Sequence, residues 1–181
     1  INDKDRTVIG NPFPKATWGI SNTFRWKGFD LYFLIQGVSG LDVFNGDGYY
    51  TESKKFNRNY VKDRWISAEY PGDGRTPTVG SAGISWEFTD YMIEDGSFVA
   101  LRDVVLGYTF DKKKLKKAGL NSLRLYASGQ NLLYFWGKSY RGINPEARVT
   151  TGSYSSPLVN GYQRGGFPIQ STVNIGFELN F

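Results

Sequence analysis

The chain has neither cysteine nor histidine. The first absence excludes disulfides and thiolate chemistry; the second removes histidine-based triads and the usual zinc sites. No apolar run reaches the roughly 18 residues that mark a transmembrane helix. Strands that alternate in polarity can still cross a membrane, because their mean hydropathy stays low. Methionine occurs once, as Met92, and the chain opens at Ile1. No leader is visible, so any targeting segment is expected to lie upstream or to be absent.

Aromatic residues are plentiful: 12 Tyr, 13 Phe and 5 Trp make up 17% of the 181 residues. Membrane barrels use such rings in girdles at both interfaces. The net charge of +5 is modest and does not suggest nucleic acid. Its densest part is 112–117, with five lysines in six residues. Phosphate or lipid headgroups are one reading of that run, and a solvated turn is the preferred one.

The clearest periodicity lies in 171–181, STVNIGFELNF. Val173, Ile175, Phe177, Leu179 and Phe181 fall on one face, and Thr172, Asn174, Gly176, Glu178 and Asn180 on the other. Eleven residues match the length of a tilted membrane strand. A terminal Phe preceded by alternating apolar residues also resembles the end signature of outer-membrane barrels.

Four further strands are predicted. In 17–26, Trp18, Ile20, Phe24 and Trp26 oppose Thr17, Gly19, Ser21, Thr23 and Arg25. Lys27-Gly28 is a tight turn, with glycine supplying a positive φ. In 29–37, Phe29, Leu31, Phe33 and Ile35 oppose Asp30, Tyr32 and Gln36. In 122–133, Leu123, Leu125, Ala127 and Leu133 oppose Arg124, Tyr126, Ser128 and Gln130. In 98–110, the row Ala100, Val104, Leu106, Tyr108 and Phe110 is apolar except for Arg102. The opposite row also holds Val99, Leu101 and Val105, so the alternation leaves the register of this strand open.

The connections alternate between short (27–28 and 111–121) and long (38–97 and 134–168), the pattern of periplasmic turns and extracellular loops. Five strands do not close a barrel, and an open sheet in lipid leaves backbone groups unpaired. The remaining strands are therefore expected from the same polypeptide upstream. The fold class is all-β, an antiparallel transmembrane β-barrel segment, with 1–181 forming one portion of that barrel.

Several segments carry a family resemblance. Residues 8–15 read VIGNPFPK, 37–45 GVSGLDVFN, 90–102 DYMIEDGSFVALR, 106–110 LGYTF, 123–133 LRLYASGQNLL and 142–146 GINPE. In this order they resemble the C-terminal part of SusC/RagA-type TonB-dependent transporters. Phe98 and Ala100 stand where Tyr and Arg are common, and Asn144 replaces an Asp. The resemblance implies a plugged barrel of roughly 22 strands in the outer membrane of a Gram-negative bacterium. It also implies import of glycan or peptide fragments energised through TonB. The implied partners are a SusD-like lipoprotein, the TonB complex through an N-terminal part, the upstream barrel, an oligosaccharide or peptide ligand, and outer-membrane lipid.

Tyr49, Tyr50, Trp65, Tyr70, Trp86, Trp136 and Tyr140 fall in the two long loops and are the candidates for stacking on a ligand or packing on a partner. Folding of the loops themselves, or a place in the aromatic girdle, is the plainer reading and the preferred one. Arg25, Asp30, Tyr32, Arg124, Tyr126 and Gln130 are the lumen-facing candidates, for a transport path or for holding a plug. Asp3, Asp5, Asp42, Asn45 and Asp47 are oxygen donors of the kind calcium takes, but no complete EF-hand loop is present. Solvated turns are preferred there, and no cofactor is expected. No nucleophile motif or interpretable carboxylate pair is present, so no enzyme is expected. The competing reading is a soluble, surface-attached carbohydrate-binding β-domain.

Overall fold

The computed structural model describes residues 3–46, 64–74, 76, 78, 89–116, 119–147, 161–163 and 166–181. These form two compact units, one built from Ala16–Val38, Phe98–Phe135 and Ile169–Phe181, the other from Ile1–Lys15, Ser39–Ser97 and Trp136–Pro168.

The first unit is a sheet of five strands: β1 (Ala16–Trp26), β2 (Phe29–Ser39), β5 (Phe98–Thr109), β6 (Ser122–Trp136) and β8 (Thr172–Asn180). They lie side by side in chain order. All five predicted strands are present. Lys27 (φ 47°) and Gly28 (φ 90°) both occupy the left-handed region, the requirement of a two-residue hairpin turn whose twist matches the strands. A Cβ on Gly28 would lie 2.8 Å from the Thr109 carbonyl oxygen, so close approach also demands glycine there.

One face of this sheet is apolar and open. Between β6 and β8 the pairs Leu123–Leu179, Leu125–Phe177 and Ala127–Ile175 stand together, while Arg124–Glu178, Ser128–Asn174 and Gln130–Thr172 stand on the reverse. Ile175 is 87% exposed in this chain, and Val173 and Phe177 are similarly open. Phe24 stacks on Phe33, and Phe29 meets Tyr108, across neighbouring strands of the apolar face. Trp18 lies over Gly37, where no other residue leaves room for the indole.

β5 settles the register that alternation leaves open. Leu34 pairs with Asp103 but Ile35 pairs with Leu101, so Arg102 is an extra residue, a β-bulge. Beyond the bulge the parity inverts. Val99 and Leu101 join Val104, Leu106 and Tyr108 on the apolar face. Ala100 and Arg102 move to the polar face, correcting the row that grouped them with Val104.

The connection from β5 to β6 contains a single-turn helix, α1 (Lys112–Leu115), where a plain turn was expected. Asp111 caps it by accepting from the Lys113 amide at 2.9 Å.

The second unit corrects the expectation of plain loops. It contains a small sheet ordered β4-β3-β7, made of β3 (Asp42–Asn45), β4 (Ile93–Asp95) and β7 (Tyr162–Gln163). β3 runs antiparallel to β4 and parallel to β7. The two long connections thus share one hydrogen-bonded sheet. Its core holds Val43, Met92, Tyr140 and Pro145 together with the buried polar residues Asn45, Glu94 and Gln163.

Candidate functional site

The polar face of the five-stranded sheet is organised by Arg124. Its Nε and Nη2 donate to the two carboxylate oxygens of Asp30, at 3.2 and 2.6 Å, and its Nη1 donates to Glu178 at 3.0 Å. One guanidinium therefore links β2, β6 and β8, and it also lies over the Tyr126 ring at 5.3 Å. The two-point fork is a geometry that arginine can supply and lysine cannot. Tyr126 in turn crosses Gly176 of β8, filling the space a side chain would take. Tyr32 shares this face, opposite Val105. A recess of about 500 Å³ at the short-turn end of the sheet is lined by Arg25, Lys27, Asp30, Thr109 and Arg124, among others. All six lumen-facing candidates thus belong to the polar face, and among them Arg124 contacts both Asp30 and Tyr126.

Arg102 is a member of this face that sequence reasoning missed. Its Nε donates to Gln36 at 2.6 Å, and its Nη1 donates to Asn131 at 3.3 Å and to the Tyr134 hydroxyl. The guanidinium also stacks near the rings of Phe98 and Tyr134. Asn131 has a positive φ of 52°, an irregularity on β6 facing the one on β5. The available signal was a lone Arg in an apolar row opposite another apolar row, which marks a slipped parity.

In the second unit, Glu94 accepts from Asn45 Nδ2, from the Arg141 amide and from Arg141 Nε, at 2.9, 2.8 and 2.7 Å. Arg141 also donates to the Tyr91 hydroxyl and carbonyl oxygens. Burial alone lowers the pKa of the Arg141 guanidinium. The attraction of Glu94 and the hydrogen bonds to Tyr91 and Glu94 outweigh it, and the net direction is upward. Gln163 accepts from the Tyr140 hydroxyl at 2.7 Å and donates to the Pro145 carbonyl at 2.8 Å. Asn45, Glu94 and Gln163 thus all have partners, as burial demands. The GINPE segment is locked likewise: Asn144 Oδ1 accepts from the Glu146 amide at 2.9 Å, a bond that the family's Asp would also make.

The loop aromatics divide. Trp65 and Tyr70 are 43% and 68% exposed, on a turn closed by bonds between Ser67 and Tyr70 and between Trp65 and Thr76. Trp136 is 39% exposed but ends β6 rather than lying in a loop, and its ring meets Tyr140 edge-on. Tyr140 is 5% exposed, which corrects its place among the ligand candidates: its ring is core and its hydroxyl serves Gln163. Tyr49, Tyr50 and Trp86 lie outside the described residues.

The oxygen-rich residues are not gathered. Asp42 accepts from the Asn11 amide and Asn45 is turned to Glu94. Asp47 lies outside the described residues, and among those described no metal-ligating cluster forms.

An antiparallel meander with one apolar and one polar face, short turns at one end and long connections at the other, is a wall segment of a transmembrane β-barrel. No protein-family model matches the chain. It is 33% identical over its whole length to TonB-dependent receptor P3 of Formosa agariphila and 24% identical to the TonB-dependent receptor SusC of Bacteroides thetaiotaomicron. It spans 18% and 16% of their lengths. Among solved structures, the RagAB peptide transporter superposes over 96% of this chain with a TM-score of 0.70 at 22% identity, covering 18% of that chain. The 'open-open' state of the RagAB peptide importer superposes with a TM-score of 0.69 over 95% of this chain, at 21% identity. The chain belongs to the TonB-dependent receptors.

Proposed function

We propose that this chain forms wall and extracellular loops of an outer-membrane active transporter that imports glycan or peptide fragments, in a Gram-negative bacterium. Energy comes through TonB, by way of a part of the receptor that these residues do not include. A SusD-like lipoprotein caps the mouth, and the exposed loop rings hold the ligand or that partner. The observation that carries this reading is the strict division of the sheet into an apolar face and a charged face, on a chain whose relatives are TonB-dependent receptors. The charged face, with Arg25, Asp30, Tyr32, Arg124, Tyr126 and Gln130, lines the lumen. No catalytic role and no cofactor are proposed.

The soluble carbohydrate-binding reading is disfavoured by the openness of Ile175, Val173 and Phe177, because a soluble domain would bury that face. The test is uptake and lipoprotein association in cells carrying Trp65→Ala, Trp86→Ala or Trp136→Ala in the whole receptor, with surface expression checked first. Loss of one stacking ring is expected to cost about 1 kcal/mol of binding. If all three variants reach the surface, import normally and keep their partner, the ring assignment is wrong.

A further inference from the structure

By sequence alone the lysine run at 112–117 is a solvated turn. Its surroundings alter that reading. The Lys27-Gly28 turn is held against the end of β5, with the Thr109 amide donating to the Gly28 carbonyl at 2.8 Å, one residue pair before α1 begins. The end of β8 reaches the same edge, because the Asn121 amide donates to the Asn180 carbonyl at 2.8 Å. Lys27, Lys112, Lys113 and Lys116, all exposed, thus share one end of the sheet although 85 residues separate Lys27 from Lys112 (112 − 27). The facing carboxylate is Asp111, already engaged as the α1 cap. Asp30 and Glu178 are held by Arg124 on the polar face. No ion pair among the described residues engages the four ammonium groups.

Directly beside these lysines the apolar face ends in exposed rings. Trp26 is 68%, Phe29 48% and Phe181 80% exposed, and Tyr108 packs between Phe29 and Phe110. The Lys27 ammonium sits 4.9 Å from the centre of the Trp26 ring. Rings of this kind settle at the depth where acyl chains give way to headgroups. Cations immediately beyond such rings stand at the level of lipid phosphates, where they attract anionic lipid. A soluble turn has no need of three exposed rings beside its lysines.

We propose that the short-turn end of this sheet is a binding surface for anionic phospholipid. Lys27, Lys112, Lys113 and Lys116 hold headgroup phosphate, while Trp26, Phe29 and Phe181 seat the upper acyl chain. The inference rests on the membrane-barrel reading and is independent of what the receptor imports. Attraction is coulombic, so it weakens with salt.

The test uses the whole receptor in bilayer discs containing photoreactive phosphatidylglycerol or photoreactive phosphatidylcholine with the same acyl chain. Cross-links are mapped to peptides. Labelling of 26–29 and 108–116 is expected to be about threefold stronger with the anionic probe. Preference should fall to parity in the variant Lys27→Gln, Lys112→Gln, Lys113→Gln, Lys116→Gln, and return when the same four positions carry Arg. Heat-dependent electrophoretic mobility confirms that each variant is folded. Equal labelling by both probes in the native receptor, or a preference that survives the four Gln substitutions, overturns the proposal. So does abolition of the preference by millimolar inorganic phosphate, which would mark a site for free phosphate. If neither probe labels the strand around Ile175, the membrane reading itself fails, and that outcome is distinguishable from the others.

Discussion

Arg124 and Asp30 join hands over Gly107: the guanidinium of β6 and the carboxylate of β2 meet at 2.6 Å directly above a residue of the intervening strand β5. A Cβ at position 107 would stand 2.6 Å from Asp30 Oδ1 and 2.7 Å from Arg124 Nη2. The glycine is thus explained by the ion pair that passes above it, because its backbone does not require positive φ.

Gly107→Ala is therefore expected to push the pair apart and to cost about 1 kcal/mol, the upper range for a partly exposed ion pair. The loss should largely vanish in an Asp30→Asn, Arg124→Gln background, since no pair remains to displace. Denaturant titration of the folded receptor, arranged as a mutant cycle, measures the coupling. Additive costs would show that Gly107 has a different reason.

Ile175→Arg places a charge on the open apolar face of β8. If the site lies near the bilayer midplane the cost is about 2–4 kcal/mol. Asn174→Arg, one residue away on the polar face, should be tolerated. Unfolding in lipid vesicles compares the two, and equal costs would contradict the assignment of faces.

Arg141→Met leaves the Glu94 carboxylate, 3% exposed, without its cation. Removing one partner of a buried pair costs about 3–5 kcal/mol. The expected readout is faster proteolysis within both 38–97 and 134–168, since the pair joins them. The pH dependence follows from the raised Arg141 pKa. The stabilisation is complete below the ordinary guanidinium range and is lost only as the pH rises beyond it. Raising the pH from about 7 to about 10 should thus leave protease resistance unchanged as far as Arg141 is concerned. A loss over that interval would show that the pair is not what holds the loops.

Tyr140→Phe removes the hydroxyl that serves Gln163 and should destabilise the loop unit by about 1–2 kcal/mol. Partner association and import should be unaffected once the variant has folded, in contrast to Trp65→Ala. A binding defect at full surface abundance would return Tyr140 to the list of contact residues.

Much of the sheet was legible in the chain. The period-two patterns of β1, β2, β6 and β8 place every second side chain on one face, because successive Cβ atoms of a strand point to opposite sides. Lys27-Gly28 declared its turn through the conformational freedom of glycine. The polar set Arg25, Asp30, Tyr32, Arg124, Tyr126 and Gln130 followed from the same arithmetic. These are local properties, and local sequence determines them.

What tertiary structure alone decided depends on residues far apart in the chain. The bulge at Arg102 exists only relative to its partner strand, since pairing with Leu34 and Ile35 is what skips it. Glu94 and Gln163 read as ordinary polar loop residues until Arg141, Asn45, Tyr140 and Pro145 surround them. Tyr140 and Trp65 are indistinguishable as loop aromatics in sequence, and burial separates them. Lys27, Lys112, Lys113 and Lys116 become one surface because antiparallel pairing of β2 with β5 returns the chain to the same edge. A strand's alternation is written in its own residues, whereas burial, pairing register and shared edges are properties of the neighbours that folding supplies.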